Sequence, residues 1–166
     1  MAREPFTDDQ WQQLQEAGPA IARAVASAAG STGQTEAELE AFLRLVDRTQ
    51  TEATDSGLLG QLISEVHTLL AAGSLAQPTD DAIADGIHAA RRAGAVLAVV
   101  ADNRDARAVR LWLLDIARTV AQAAREGGIL GLGGEDVSGP ERETIAAISD
   151  ALGLSEPTDA SGPGAD

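Results

Sequence analysis

Apolar side chains recur every three or four residues along almost the whole chain, and no stretch alternates between apolar and polar with a period of two. Such spacing is typical of amphipathic α-helices. The pattern predicts about six helices joined by short polar or glycine-containing segments, and therefore an all-α single-domain bundle. In the first helix we expect Gly18-Pro19 to cause a kink or a break, because proline lacks the backbone N–H and crowds the preceding turn.

Capping signals set several of the expected helix boundaries. A Ser or Thr three residues before Gln or Glu has the spacing of a capping box. Three pairs with this spacing stand at expected helix starts: Thr7–Gln10, Thr35–Glu38 and Ser138–Glu141. Phe6 and Trp11 flank the first cap and are placed as a hydrophobic staple. Asp102, with Asp105 three residues on, is expected to cap the fifth helix.

The remaining boundaries follow from polar and glycine-rich stretches. We expect a linker over 49–55 before the third helix and a stop at Gly73 after it. The fourth helix is predicted over about 81–101 and the fifth over about 103–126. The chain then divides into an N-terminal extension (1–6), a helical domain (7–154) and a disordered tail (155–166).

The fourth helix has small residues every fourth position, at Gly86, Ala90, Gly94 and Ala98, where a second helix could pack closely. Residues 93–101 form the longest apolar run, nine residues long. A membrane-spanning helix needs about 20 apolar residues, so we interpret this run as a buried helix end. No targeting segment is visible, and a cytoplasmic location is the default expectation.

Charge narrows the chemistry. The 166 residues carry 26 acidic and 12 basic side chains, a net charge of −14, and every basic residue is arginine. Without Lys or Cys, phosphate-binding loops of the GxxxxGK type, Schiff bases and thiol chemistry are excluded. The net charge argues against nucleic acid and anionic membranes as partners. The basic residues are concentrated in 86–126, where seven Arg face four acids.

The fifth helix is the clearest amphipath and supplies the candidate interaction face. At 100° per residue its apolar side chains point one way and its arginines the other, and two leucines fall inside the arginine stripe. The candidate face consists of Arg104, Arg107, Arg110, Leu111, Leu114 and Arg118. Although such a stripe is more often simply solvated, leucines among arginines indicate a contact surface for another helix, for the protein's own acidic part, or for a protein partner or second copy.

An internal similarity connects the first and fifth helices. Residues 21–29 (IARAVASAA) match 116–124 (IARTVAQAA) at seven of nine positions, and each segment leads through a glycine-containing loop into a capped acidic helix. The similarity predicts a degenerate helix–loop–helix repeat, with units of about 8–50 and 103–154.

A helix, a glycine-containing loop and a capped acidic helix ending in Ala151-Leu152-Gly153-Leu154 resemble the tellurite-resistance TerB-like family. The resemblance covers about half the chain. It implies a helical bundle with a role in stress response and acidic residues that bind metal ions. The positions that match the family's loop acids are Glu38, Glu126 and Glu141, whereas Ala29-Gly30 lacks the expected acid.

Three other patterns are candidates for binding or catalytic sites, and none has the complete set of residues. The glycine-rich loop at 127–134 lacks the spacing and the preceding strand of a dinucleotide site. Asp85 and His88 resemble one half of a di-iron motif, but no second half exists. An ordinary ion-pair row of Asp81, Asp85, His88 and Arg92 along that helix is therefore favoured. No nucleophile with its base can be recognised, and we expect no enzymatic activity.

Two functions stay open at this point. The first is a non-enzymatic protein-interaction or stress-related module that uses the face on the fifth helix. The second is a site for a divalent cation such as Ca²⁺ or Mg²⁺ between the repeat loops, since carboxylate oxygens suit hard cations. Its ligands would be Glu38, Glu126 and Glu141.

Overall fold

The computed structural model describes residues 6–29, 32–52, 57–73, 80–126 and 139–154, without the side chains of 32–38, 52, 103 and 124–126. Within these residues the chain forms six α-helices and no β-strand, which confirms the all-α prediction. The helices are α1 (Asp8–Ala29), α2 (Thr32–Glu52), α3 (Leu58–Ala71), α4 (Ala82–Val100), α5 (Asn103–Glu126) and α6 (Gly139–Ala151).

All six helices pack around one apolar core. Each of them contributes at least one side chain with no solvent exposure; examples are Leu14, Phe42, Leu62, Leu97, Leu113 and Ile148. Two helices are central, because α1 and α5 each contact all five others. The most extensive contact is between α1 and α4.

The predicted caps of α1 and α5 are confirmed. The backbone N–H of Gln10 donates to Thr7 Oγ1 at 3.2 Å, and the N–H of Thr7 donates to Gln10 Oε1 at 2.9 Å. The rings of Phe6 and Trp11 lie 5.6 Å apart, as a hydrophobic staple requires. At α5, Asp102 Oδ1 accepts the N–H of Asp105 at 2.9 Å. These local interactions fix the start of each central helix.

Gly18-Pro19 does not break α1, which runs without interruption from Asp8 to Ala29. Of the two expected outcomes, the break is therefore absent, and the kink stays a prediction. Both residues are buried, and a Cβ placed on Gly18 would lie 3.2 Å from Ile116 Cδ1 of α5. Packing against α5 holds this segment in place and offsets the one backbone hydrogen bond that proline removes.

The bounds of α2 also differ from the prediction. The helix begins at Thr32, three residues before the expected cap at Thr35, and it continues to Glu52 through the first half of the expected linker. The Thr49 hydroxyl donates to the carbonyl of Leu45 at 2.8 Å. Because this bond satisfies the side chain inside the helix, polar residues here do not end it.

Two glycines of α4 sit where other helices approach its backbone. A Cβ on Gly86 would collide with Ala24 Cβ and lie 2.8 Å from the carbonyl oxygen of Ala20 in α1. A Cβ on Gly94 would lie 2.8 Å from the carbonyl oxygen of Ala151, at the end of α6. The predicted close packing on this stripe is confirmed at both glycines.

The stripe does not extend to the end of α4. Ala98 is exposed, and so is Val99, whose side chain is 84% accessible. The prediction that residues 93–101 form a buried helix end is wrong for Ala95 and for these two positions. It holds for the positions that are buried, namely Ala93, Gly94, Val96 and Leu97. No helix in the described ranges is long and apolar enough to cross a bilayer.

Glycines with positive φ end α3 and α6, as the sequence predicts for Gly73. Its φ is 72°, and that of Gly153 is 70°. After α6 the N–H of Leu154 donates to the carbonyl of Ser149 at 3.0 Å, the bond of a Schellman motif. The cap predicted at Ser138 lies outside the described residues, as do the loop at 127–134 and the tail.

The two similar segments lie in α1 and α5, and their matched isoleucines and valines are equally buried, whereas Arg23 is half-buried and its match Arg118 is exposed. Ile21 and Ile116 are completely buried, as are Val25 and Val120. The sequence similarity thus coincides with the two helices that contact all others. The larger helix–loop–helix repeat stays a prediction, since its second loop lies outside the described residues.

We expect Gly86→Ala to lower the free energy of unfolding by about 1–3 kcal/mol, because the added methyl meets backbone that cannot move aside. Chemical denaturation measures this change. Gly139→Ala is the control, since nothing lies within 4 Å of its added Cβ, and its stability should be unchanged or slightly higher. Equal stability of both variants would show that α1 and α4 are not closely packed.

Candidate functional site

The exposed side of α5 is a narrow stripe along the helix. Among the side chains of α5 that the structure describes, it consists of Arg104, Arg107, Leu111, Asp115, Arg118 and Gln122. Leu111 is 45% exposed and lies near the middle of the stripe, with arginines on both sides along the helix. No described carboxylate lies within 4.0 Å of the guanidinium groups of Arg104, Arg107 or Arg118. The stripe therefore combines an apolar side chain with cations that are not paired within the described chain.

Leu114 does not belong to this face, so that part of the prediction is wrong. Its side chain is 4% exposed and forms part of the apolar core. Because α5 contacts all five other helices, these helices cover more of its circumference than the spacing of its apolar residues indicates.

Arg110 is half-buried and contributes to the packing of α5 on α4. Its Nη2 donates to the carbonyl of Gly94 at 3.0 Å. Because Gly94 has no side chain, its carbonyl is open to the guanidinium. We therefore assign Arg110 a structural contact and keep the other three arginines as the exposed cations of the face.

A groove between α2 and α5 borders the stripe. Its volume is about 370 Å³, and it is lined by Arg44, Arg48, Thr119 and Gln122 together with small apolar side chains. Arg44 pairs with Glu40 at 2.9 Å on the exposed surface, where such a pair adds little stability. Gln122 belongs both to the stripe and to the groove, so the two form one continuous basic surface.

The predicted metal ligands are only partly described. Glu141 is buried in the first turn of α6, with 5% exposure. Glu38 lies in α2 and Glu126 ends α5, but the side chains of both are outside the description. Among the residues that are described, no group of three or more His, Asp or Glu side chains could hold a metal ion. The three-carboxylate site stays a prediction.

The acidic and basic residues along α4 are exposed, yet they do not form the favoured ion-pair row. Within the described chain no ion pair shorter than 4.0 Å joins Asp85, His88 and Arg92. Asp85 instead acts on Arg23 of α1. Burial lowers the pKa of the Arg23 guanidinium below its ordinary value, and the negative charge of Asp85 opposes that shift. Arg23 Nη1 is buried without a hydrogen-bond partner.

Sequence reasoning missed a second surface feature, a cleft between α1 and α3. Trp11 Nε1 and Gln15 Nε2 of α1 both donate to Glu65 Oε2 of α3 at 2.6 Å. The donors lie 54 and 50 residues from Glu65 in sequence, so no local motif indicates the site. The one feature of the sequence that points to this cleft is Glu65, a glutamate beside the apolar face of α3.

The two leucines of α5 provide a direct test of the face. Leu114→Ala should lower the free energy of unfolding by about 2–4 kcal/mol through the cavity it leaves, whereas Leu111→Ala should change it by less than about 0.5 kcal/mol. Chemical denaturation of both variants measures the difference. Similar losses in both would place Leu111 in the core and remove the basis of the face.

Arg23→Met should raise the free energy of unfolding by about 1 kcal/mol, because it removes a buried donor that has no partner and keeps the apolar stem. Arg118→Met, at the matching position of α5, is the control and should have no measurable effect, since Arg118 is exposed. A thermal melt compares the two. A loss of stability in Arg23→Met would show that the attraction to Asp85 outweighs the cost of burial.

Comparison of the chain with protein-family models, with curated proteins and with solved structures gave no match. The resemblance to the TerB-like family therefore rests on the short motifs described above and stays a prediction.

Proposed function

We propose that this chain is a non-enzymatic, cytoplasmic protein-interaction module whose α5 face binds an acidic partner. The observation that carries the proposal is Leu111, which is 45% exposed within a stripe of arginines that have no described ion-pair partner. An arginine stripe alone is an ordinary solvated helix face. An apolar side chain in its centre is not needed for solubility, and it gains free energy when a partner covers it.

The charge of the face favours an acidic partner. The chain as a whole has a net charge of −14. A surface patch of average composition on this protein would therefore repel other acidic proteins. The α5 face and the adjoining groove are locally basic, because Arg104, Arg107, Arg118 and Arg48 outnumber Asp115, the one acid among the described residues of the stripe and the groove lining. Guanidinium groups bind carboxylates in a planar, two-pronged geometry, which gives such a contact direction as well as attraction.

The shape of the face favours a helical or extended segment. The exposed residues follow one side of α5 and continue through Gln122 into the groove beside α2. A segment with acidic side chains and one or two apolar ones could lie along this line, with an apolar side chain on Leu111 and carboxylates on the arginines. Through its TerB-like resemblance, we further propose that the module acts in a stress response.

A display selection with random peptides tests the function. We expect the peptides retained by the wild-type protein to be enriched in Asp, Glu and large apolar residues, because the face offers both kinds of contact. Arg107→Glu should weaken the affinity of a selected synthetic peptide about tenfold or more, because it removes a charge-assisted contact. Leu111→Asp should weaken it about tenfold or more as well, because it removes the apolar contact and adds a negative charge beside the acidic peptide. Fluorescence anisotropy measures the affinities.

Arg142→Glu is the matched control, because it makes the same charge reversal at an exposed position on α6. It should leave peptide affinity unchanged. Selected peptides without excess acid, or equal losses in the control, would contradict the proposal. A dimer that forms at higher protein concentration and is abolished by Leu111→Asp would make a second copy the occupant instead.

A further inference from the structure

The cleft between α1 and α3 is open to solvent and has a volume of about 500 Å³. Pockets that hold small molecules have volumes of about 300–1,000 Å³. One part of the lining is apolar and is formed by Trp11, Pro19, Val66, Leu69 and Leu70. The polar part contains the carboxylates of Asp8, Glu16 and Glu65, and no described lining residue is basic.

Glu65 is held in this cleft by neutral donors alone. Trp11 Nε1 and Gln15 Nε2 donate to its Oε2 at 2.6 Å, and Gln61 Nε2 donates to its Oε1 at 3.2 Å. Two of the donors come from α1 and one comes from α3 itself. The carboxylate therefore has a fixed position relative to both walls of the cleft.

This arrangement exceeds what the buried indole of Trp11 requires. A single acceptor atom, such as the oxygen of a glutamine, would satisfy its N–H. The carboxylate gathers three donors, and none of the three is a cation that would pair with it. Two carboxylate oxygens offer about four acceptor positions, so Oε1 can accept a further hydrogen bond from a molecule in the cleft.

We propose that this cleft binds a small organic cation, an ammonium group attached to an apolar body. Glu65 accepts the ammonium N–H and balances its charge, and the exposed Glu16 adds attraction at the mouth. Leu69 and Leu70 contact the apolar body. Because Glu65 is already fixed by its donors, binding does not require a flexible side chain to become ordered. The site lies on helices other than α5 and does not depend on the proposed protein contact.

Phenylethylammonium is the probe, and the indole N–H signals of the two tryptophans in nitrogen–proton correlation spectra are the readout. The Trp11 signal should shift with saturation as the cation is added, because its N–H donates to Glu65. The Trp112 signal should stay in place, since Trp112 belongs to α5 and does not line the cleft. Phenylethanol, which has the apolar body without the charge, and ethylammonium, which has the charge without the body, should each bind about tenfold more weakly or worse.

Glu65→Gln removes the charge and keeps the size of the side chain, and it should weaken phenylethylammonium binding about tenfold or more. Glu143→Gln makes the same change of net charge on an exposed part of α6, which does not contact α3, and should leave the affinity unchanged. A thermal melt establishes that both variants fold. No saturable shift of Trp11, equal binding of phenylethanol, or equal affinity in Glu65→Gln would overturn the proposal.

Discussion

The close approach of α1 and α4 at Gly86 is the contact on which the arrangement of the bundle depends. The backbone of α1 comes so near that only a hydrogen fits at this position of α4. Two turns further along, Gly94 receives the last residues of α6 and accepts the guanidinium of Arg110 from α5. One face of α4 thus sets the distances to three helices, and a bulkier residue at either glycine would separate them.

The candidate face on α5 is a consequence of this crowding. Helix α5 contacts every other helix, and so most of its circumference is occupied. What remains is the narrow stripe on which Leu111 and the unpaired arginines lie. Leu114 shows how sharp the boundary is, since it lies one turn from Leu111 and is fully part of the core. A helix so extensively packed presents its few exposed residues rigidly, which favours a defined partner surface over an adaptable one.

Helical periodicity and capping chemistry predict much of the fold because both are local. The box at Thr7, the cap at Asp102 and the stop at Gly73 each depend on residues within one turn, and the sequence shows them directly. The burial of Leu114 and the continuity of α1 through Pro19 depend on which helices surround each segment. Periodicity within one helix contains no such information, so it places Leu114 on the wrong face and leaves a break at Pro19 open as one of two outcomes. Glu65 was missed for the same reason, because its donors on α1 are distant in sequence.

The two proposed sites share one physical argument, although their charges are opposite. A charged side chain on the surface needs no partner, because water stabilises it. The arginines of α5 and the carboxylate of Glu65 differ from an ordinary solvated charge, because each lies beside apolar surface that water stabilises poorly. Leu111 lies among the arginines, and Leu69 and Leu70 lie beside Glu65. A ligand that carries both the opposite charge and an apolar group therefore gains binding free energy from each. On α5 this ligand is an acidic segment with an apolar side chain, and in the cleft it is a cation with an apolar body. A salt ion gains only the electrostatic contribution, and a neutral hydrocarbon gains only the apolar one. This difference allows specific binding on a chain whose net charge would otherwise attract any cation.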